Sequence, residues 1–196
     1  MKISISYPPL ESKKGVACLS QNRQFQWFAH PTYIYPVIPA YAASLLKKNG
    51  YEVFWDDAIA EELAFGEWKE RIIREKPDII AIETKTPVVK MHWKIINDLK
   101  SVLPDSKIVL MGDHVMARPE ESLRNCQADY VMASGDYDFM LLSLADHLSK
   151  NTPLTGGFWW KENGDIHPVE YPQSGFAKGE FNRVKNSGPS DISKHD

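Results

Sequence analysis

Four short stretches collect side chains able to bind a ligand: Tyr7-Pro8-Pro9, Thr84-Lys85-Thr86, Gly112-Asp113-His114 and Ser134-Gly135-Asp136. Each closes a run rich in apolar and β-branched residues, the pattern of a strand in a parallel sheet, buried on both faces. The clearest run is Asp78 to Ile82, which breaks into hydroxyls and a lysine before Pro87 stops it. Hydroxyl, ammonium, imidazole and carboxylate groups at such strand ends form a binding edge. Ligands of open α/β sheets sit outside the carboxyl ends of the strands, where the strand order reverses.

Several chemistries are excluded by the same letters. A dinucleotide site needs a glycine-rich turn after the first strand so that backbone can approach pyrophosphate, and here that turn is Tyr7-Pro8-Pro9. Asp57 after the second strand then reads as a capping residue. No GxxxxGK[ST] loop and no G-x-S-x-G elbow occurs. A phospho-receiver site would need acids where Tyr7 stands and an aspartate where Glu83 stands. His30, His92, His114 and His147 show no metal-site spacing, and Cys18 and Cys126 support neither a disulfide framework nor an iron–sulfur site.

The positioning elements follow from periodicity. Lys2 to Ser6 reads as a first strand, ended by prolines that cannot donate to a ladder. Leu10 to Pro36 has no sustained period; within it Gln24-Phe-Gln-Trp-Phe28 reads equally as a ligand lid or as a strand or helical turn packed on the domain. Helices are predicted over Pro39–Asn49, around Leu63–Ile73, over Val88–Leu99, at Pro119–Leu123 and over Phe139–Leu148, with Phe139 among the apolar positions of the last. Strands are predicted at Tyr51–Trp55, Asp78–Ile82, Lys107–Met111 and Asp129–Met132. This alternation gives an α/β fold, a doubly wound five-stranded parallel sheet of flavodoxin-like order 2-1-3-4-5, whose strand tips share one rim. Asn163-Gly164 signals a C-terminal β-hairpin. The expected divisions are an α/β domain over 1–150, a hairpin over 151–170 and a disordered tail over 171–196.

At 196 residues, 43% hydrophobic and 25% charged, the chain accommodates one such domain with an appendage. A net charge of −3 offers no general attraction to nucleic acid or an anionic membrane. Without an apolar run of spanning length or a signal-peptide core, the expected location is cytoplasmic.

From Lys2 to about Val169 the chain resembles the cobalamin-binding N-terminal domains of B12-dependent radical SAM enzymes. The resemblance rests on the Tyr7-Pro8-Pro9 strand end and the long loop, on Tyr35 to Val53, on Asp57-Ala58, and on Pro77 to Thr86. Ile108 to Val115, Pro119-Glu120-Glu121, Ala128 to Val131, Ser134-Gly135-Asp136 and the Trp160-to-Ile166 hairpin complete it. It implies the B12-binding Rossmann-like fold, cobalamin as cofactor and a radical SAM domain or subunit as partner, for methyl transfer or a related radical reaction on an unnamed small molecule. Implied cofactor contacts are Tyr7, Pro8, Pro9, Tyr35, Thr84, Lys85, Thr86, Gly112, Asp113, His114, Ser134, Gly135 and Asp136. Met111 and Asp113 replace a glycine and a proline of the family pattern. CxxxCxxC is missing, so no iron–sulfur cluster is expected in this chain and the catalytic domain would lie outside it.

Small residues at Thr84, Thr86 and Gly112 are expected to leave a slot for the cofactor's nucleotide tail, so that Gly112→Leu would block the slot with little loss of fold. The histidine-bearing D-x-H-x-x-G signature is also absent, which implies base-off cobalamin with no protein histidine on cobalt. Two other readings stand beside this one: a cofactor-free interaction module, favoured by Met111 and Asp113, and a flavin binder of the same fold.

Overall fold

The computed structural model describes residues 1–19, 25–30, 32–134 and 136–169. Its elements in chain order are β1 (Lys2–Tyr7), β2 (Val16–Cys18), β3 (Gln26–Phe28), α1 (Val37–Lys48), β4 (Glu52–Asp57), α2 (Phe65–Glu75), β5 (Ile79–Glu83) and α3 (Val89–Val102). There follow β6 (Lys107–Met111), α4 (Asp113–Ala117), α5 (Pro119–Asn125), β7 (Tyr130–Met132), α6 (Tyr137–Lys150), β8 (Phe158–Glu162) and β9 (Asp165–Pro168). The main sheet runs β4-β1-β5-β6-β7-β8-β9. Its first five strands pair parallel, in the order expected from the alternation of runs, and β8 and β9 pair antiparallel. Strand order reverses between β1 and β5, which makes their carboxyl ends the switch point.

The core explains why the central strands read as continuous apolar runs. Ile3, Ile5, Ile79, Ile80, Ile82, Ile108 and Leu110 are fully buried, each stabilising the fold by roughly 2 kcal/mol. One face is covered by α1 and α6, which pack side by side. α2 contributes Trp68 and Ile72 to the core, and α3 contributes Ile96 and Leu99. A buried polar lock joins β1, β4 and α2: Ser6 Oγ and Trp68 Nε1 donate to Asp56 at 2.6 and 2.7 Å, and Arg71 pairs with the same carboxylate. Burial pushes the Asp56 carboxyl up, while these donors and the Arg71 charge hold it back.

Four local expectations need correction or completion. Phe139, assigned to the apolar face of the last helix, is 67% exposed, because the buried stripe of that helix runs through Tyr137, Met140, Leu141, Leu144 and Ala145 and leaves position 139 outside it. In the aperiodic loop, β2 and β3 form a small antiparallel pair, too short to alternate visibly. Phe25 and Trp27 pack against the core, so the packed-strand reading of this stretch holds for its described residues. Asp57 Oδ1 accepts the Ala60 N–H at 3.0 Å in a turn, well before α2 starts, so it caps no helix.

Asn163 and Gly164 both have positive φ, as a type I′ hairpin turn demands. The hairpin they close extends the main sheet from β7. The expected disordered tail over 171–196 lies outside the described residues. Among the described residues, no helix is long and apolar enough to cross a membrane.

Candidate functional site

Three of the four strand tips meet in one buried network. Tyr7 at the end of β1 donates its hydroxyl to Glu83 Oε2 at the end of β5, 2.7 Å away. Lys85, two residues on, places its ammonium 3.2 Å from Glu83 Oε1 and 3.0 Å from Asp113 Oδ2 at the tip of β6. Tyr7, Glu83 and Lys85 are each at most 6% exposed. Burial pushes the Glu83 carboxyl up, opposed by the Lys85 charge and by the hydrogen bonds from Tyr7 and Lys85. Burial also raises Tyr137, at the start of α6, with the Glu83 and Asp113 charges adding to it.

A second layer fixes the threonines. His92 on α3 bonds through Nδ1 to Thr84 Oγ1 at 2.8 Å, and His114 bonds likewise to Thr86 Oγ1 at 3.2 Å. Burial lowers His92 to about 3, so its ring is neutral. His114 is also lowered by burial, and its Nε2 lies 3.7 Å from Glu121. Trp93 stands edge-on to His114.

Gly112 itself does not provide the space expected of it. Gly112 has φ 114°, and a Cβ there would lie 2.2 Å from the Thr84 carbonyl oxygen. The glycine is needed because the Gly112 and Thr84 backbones touch, which leaves no room for a side chain at position 112. Gly112→Leu would therefore break the fold before it could block a pocket. The Thr84 N–H continues the ladder to Met111 O at 2.8 Å, which locks the contact.

Among the described rim residues that the sequence singles out, Thr86 and Asp136 are exposed and Ser134 and Asp113 are half-buried. Tyr35 stacks on Trp55 with ring centroids 6.0 Å apart, and Trp55 lies against Tyr7. Around it runs an exposed apolar strip of Tyr33, Ile34, Val37, Ile38 and Tyr41, with Phe139 at the start of the neighbouring α6. Pro8 and Pro9 are buried, and Gly135 lies outside the described residues. Pro9 lines a separate cleft of about 450 Å³ between the loop after β1 and the turn after β4. The sequence reading missed Glu83, His92 and Tyr137 as members of the site. Glu83 alone carried a signal, as an acid ending an otherwise apolar run.

Comparison with known proteins places this arrangement. Residues 31–143 match the family described as the B12 binding domain. The chain belongs to that family. As a B12-binding domain it is 29% identical over 170 residues to an uncharacterised methyltransferase of Pyrococcus horikoshii, spanning 85% of this chain and 34% of the relative. It is also 29% identical over 110 residues to the anaerobic magnesium-protoporphyrin IX monomethyl ester cyclase of Rubrivivax gelatinosus, spanning 56% of this chain and 20% of the relative. The domain thus covers about a third or less of these relatives.

In fold it resembles the cobalamin-bound radical S-adenosylmethionine methyltransferase TsrM of Kitasatospora setae, with TM-score 0.65 and 15% identity over 87% of this chain and 29% of that one. A further structural relative is the cobalamin-dependent S-adenosylmethionine radical enzyme OxsB with aqua-cobalamin and S-adenosylmethionine bound, with TM-score 0.63 and 15% identity over 87% of this chain and 22% of that one.

Proposed function

We propose that this B12-binding domain holds cobalamin on its carboxyl-edge rim and presents it to a radical SAM catalytic domain or subunit, for methyl transfer or related radical chemistry on a small molecule. The observation that carries the reading is the composition of the rim. Thr86, Asp113, Ser134 and Asp136 ring the strand ends beside Tyr35 and its apolar strip. A corrin is broad and apolar on its faces and edged with amides, so carboxylates and hydroxyls at the rim can accept its amide N–H groups while the aromatic strip covers apolar area. The residues present therefore fit the ring.

Cobalamin, when bound, supplies a cobalt centre able to carry a methyl group. The protein's own groups bind and orient. His92 and His114 fix the hydroxyls of Thr84 and Thr86, and the chain Tyr7–Glu83–Lys85–Asp113 joins the tips of β1, β5 and β6. His114 is buried with one nitrogen on Thr86, so the reading keeps the implied absence of a protein imidazole on cobalt.

The test is incubation with hydroxocobalamin, desalting and an absorbance spectrum. Co-elution of corrinoid at close to one per chain is expected. Elution of colourless protein would contradict the reading.

A further inference from the structure

Two threonines beyond the end of β5 are each bonded to a histidine, and the direction of those bonds decides what the rim can recognise. A neutral imidazole carries one N–H and one acceptor nitrogen, and the group facing each nitrogen sets which is which. Burial holds both His92 and His114 below the ordinary 6.5, so both rings are neutral at neutral pH.

At His92, Nδ1 lies 2.8 Å from Thr84 Oγ1, while Nε2 is buried with no hydrogen-bond partner among the described residues. A buried N–H left unpaired is costlier than an unpaired lone pair, so the proton sits on Nδ1 and His92 donates to Thr84.

At His114 the order is reversed. Nδ1 lies 3.2 Å from Thr86 Oγ1, and Nε2 faces Glu121 Oε2 at 3.7 Å. That separation exceeds a hydrogen bond, yet both atoms are buried and neither has a hydrogen-bond partner among the described residues. Arg118 Nη1 stands 3.6 Å from the same oxygen. A carboxylate oxygen at this distance favours an N–H pointed at it over a lone pair, so the proton sits on Nε2 and Nδ1 accepts. The Thr86 hydroxyl then donates inward, and only its lone pairs are left for the exposed rim. Asp113 and Asp136 on that rim are acceptors too, and the Lys85 ammonium is held by Glu83 and Asp113.

We infer that Glu121 and His114 fix Thr86 as an obligate acceptor, and that the rim thereby selects corrinoids edged with amides over those carrying a free carboxylate. Thr86 is the specificity-determining residue, and His114 and Glu121 are positioning residues that act through it. This inference rests on the corrinoid-binding reading above.

The first test needs no corrinoid: a nitrogen-15 spectrum of the histidine side chains of the full chain. The Nε2–H tautomer is expected at His114 and the Nδ1–H tautomer at His92. His114→Gln assigns the His114 signals by their loss, and Thr86→Val, at an exposed position, assigns them independently by moving them. An Nδ1–H tautomer at His114 would overturn the inference whatever the chain binds. Glu121→Leu should shift that proton toward Nδ1; a tautomer indifferent to the change would overturn the role of Glu121.

The second test titrates the chain with aquacobalamin and with its isomeric monocarboxylic acids, in each of which one propionamide has been hydrolysed. At least one isomer is expected to bind about tenfold more weakly than cobalamin, a difference of about 1.4 kcal/mol, and Thr86→Val should narrow that gap by about threefold or more. Acids that all bind as well as cobalamin, or a gap unmoved by Thr86→Val, would overturn the inference while leaving the corrinoid site standing. Binding of none of these corrinoids would overturn both.

Discussion

The two edges of the parallel sheet are both stapled by charged side chains, yet they are built to opposite rules. At the amino edge Lys2 reaches Glu75 at 2.6 Å and Glu52 at 3.2 Å, and Asp129 receives Lys100 and Lys107; several of these groups remain open to solvent. At the carboxyl edge the Glu83–Lys85 pair is 7% exposed on either side, with Tyr7 closing it from β1. Water can replace a partner at the first edge, but at the second a lost partner leaves a charge without one. Carrying that cost on one edge alone marks the carboxyl edge as the one whose geometry must be held.

The contrast breaks most sharply at Gly112. Replacement by alanine puts a Cβ against the Thr84 carbonyl oxygen at a φ of 114°, so a loss of about 3 kcal/mol or more is expected. Urea denaturation measures it; an unchanged midpoint would mean that the strand ends are not in contact.

Lys85→Met comes next, with an expected loss of about 2 kcal/mol. That is below the usual cost of breaking a fully buried pair, since Asp113 is partly solvated and Glu83 can take up a proton. Adding Glu83→Gln should recover most of the loss, whereas Lys2→Met at the other edge should leave the midpoint unmoved. Equal effects of Lys85→Met and Lys2→Met would erase the distinction between the edges.

A smaller, pH-dependent effect comes from His92. Its folded value of about 3 lies below the ordinary 6.5, so between these values the unfolded chain binds the extra proton, and stability falls as pH drops below 6.5. Glu83, raised by burial, acts with the opposite sign: the folded chain holds the proton longer, and stability falls as pH rises from the ordinary carboxylate range through its raised value. His92→Gln should flatten the acid arm of the stability profile. An arm unchanged by the substitution would assign it to other groups.

Much of this was legible in the sequence because it is local. Apolar runs separated by helical periods fix the strand order, Asn163-Gly164 fixes the hairpin turn, and Pro8-Pro9 fixes the end of β1. The rim tips follow from strand direction alone. The network beneath them was not legible, because Tyr7 and Glu83 are 76 residues apart and nothing in either stretch announces the other. Gly112 shows the same limit: a glycine at a strand end reads as space, and only the neighbouring strand reveals that the space is taken. Phe139 was misjudged because an apolar letter at helical spacing does not say which side of the helix faces solvent.

The most direct measurement of the central claim is amide hydrogen exchange with and without hydroxocobalamin. Protection is expected in the stretches 33–41, 84–88, 112–115 and 133–138, with none in the amino-edge stretches 51–53 and 76–79. Protection at the amino edge, or at the cleft stretch 58–64 in place of the rim, would contradict the assignment of the carboxyl edge as the cofactor's seat.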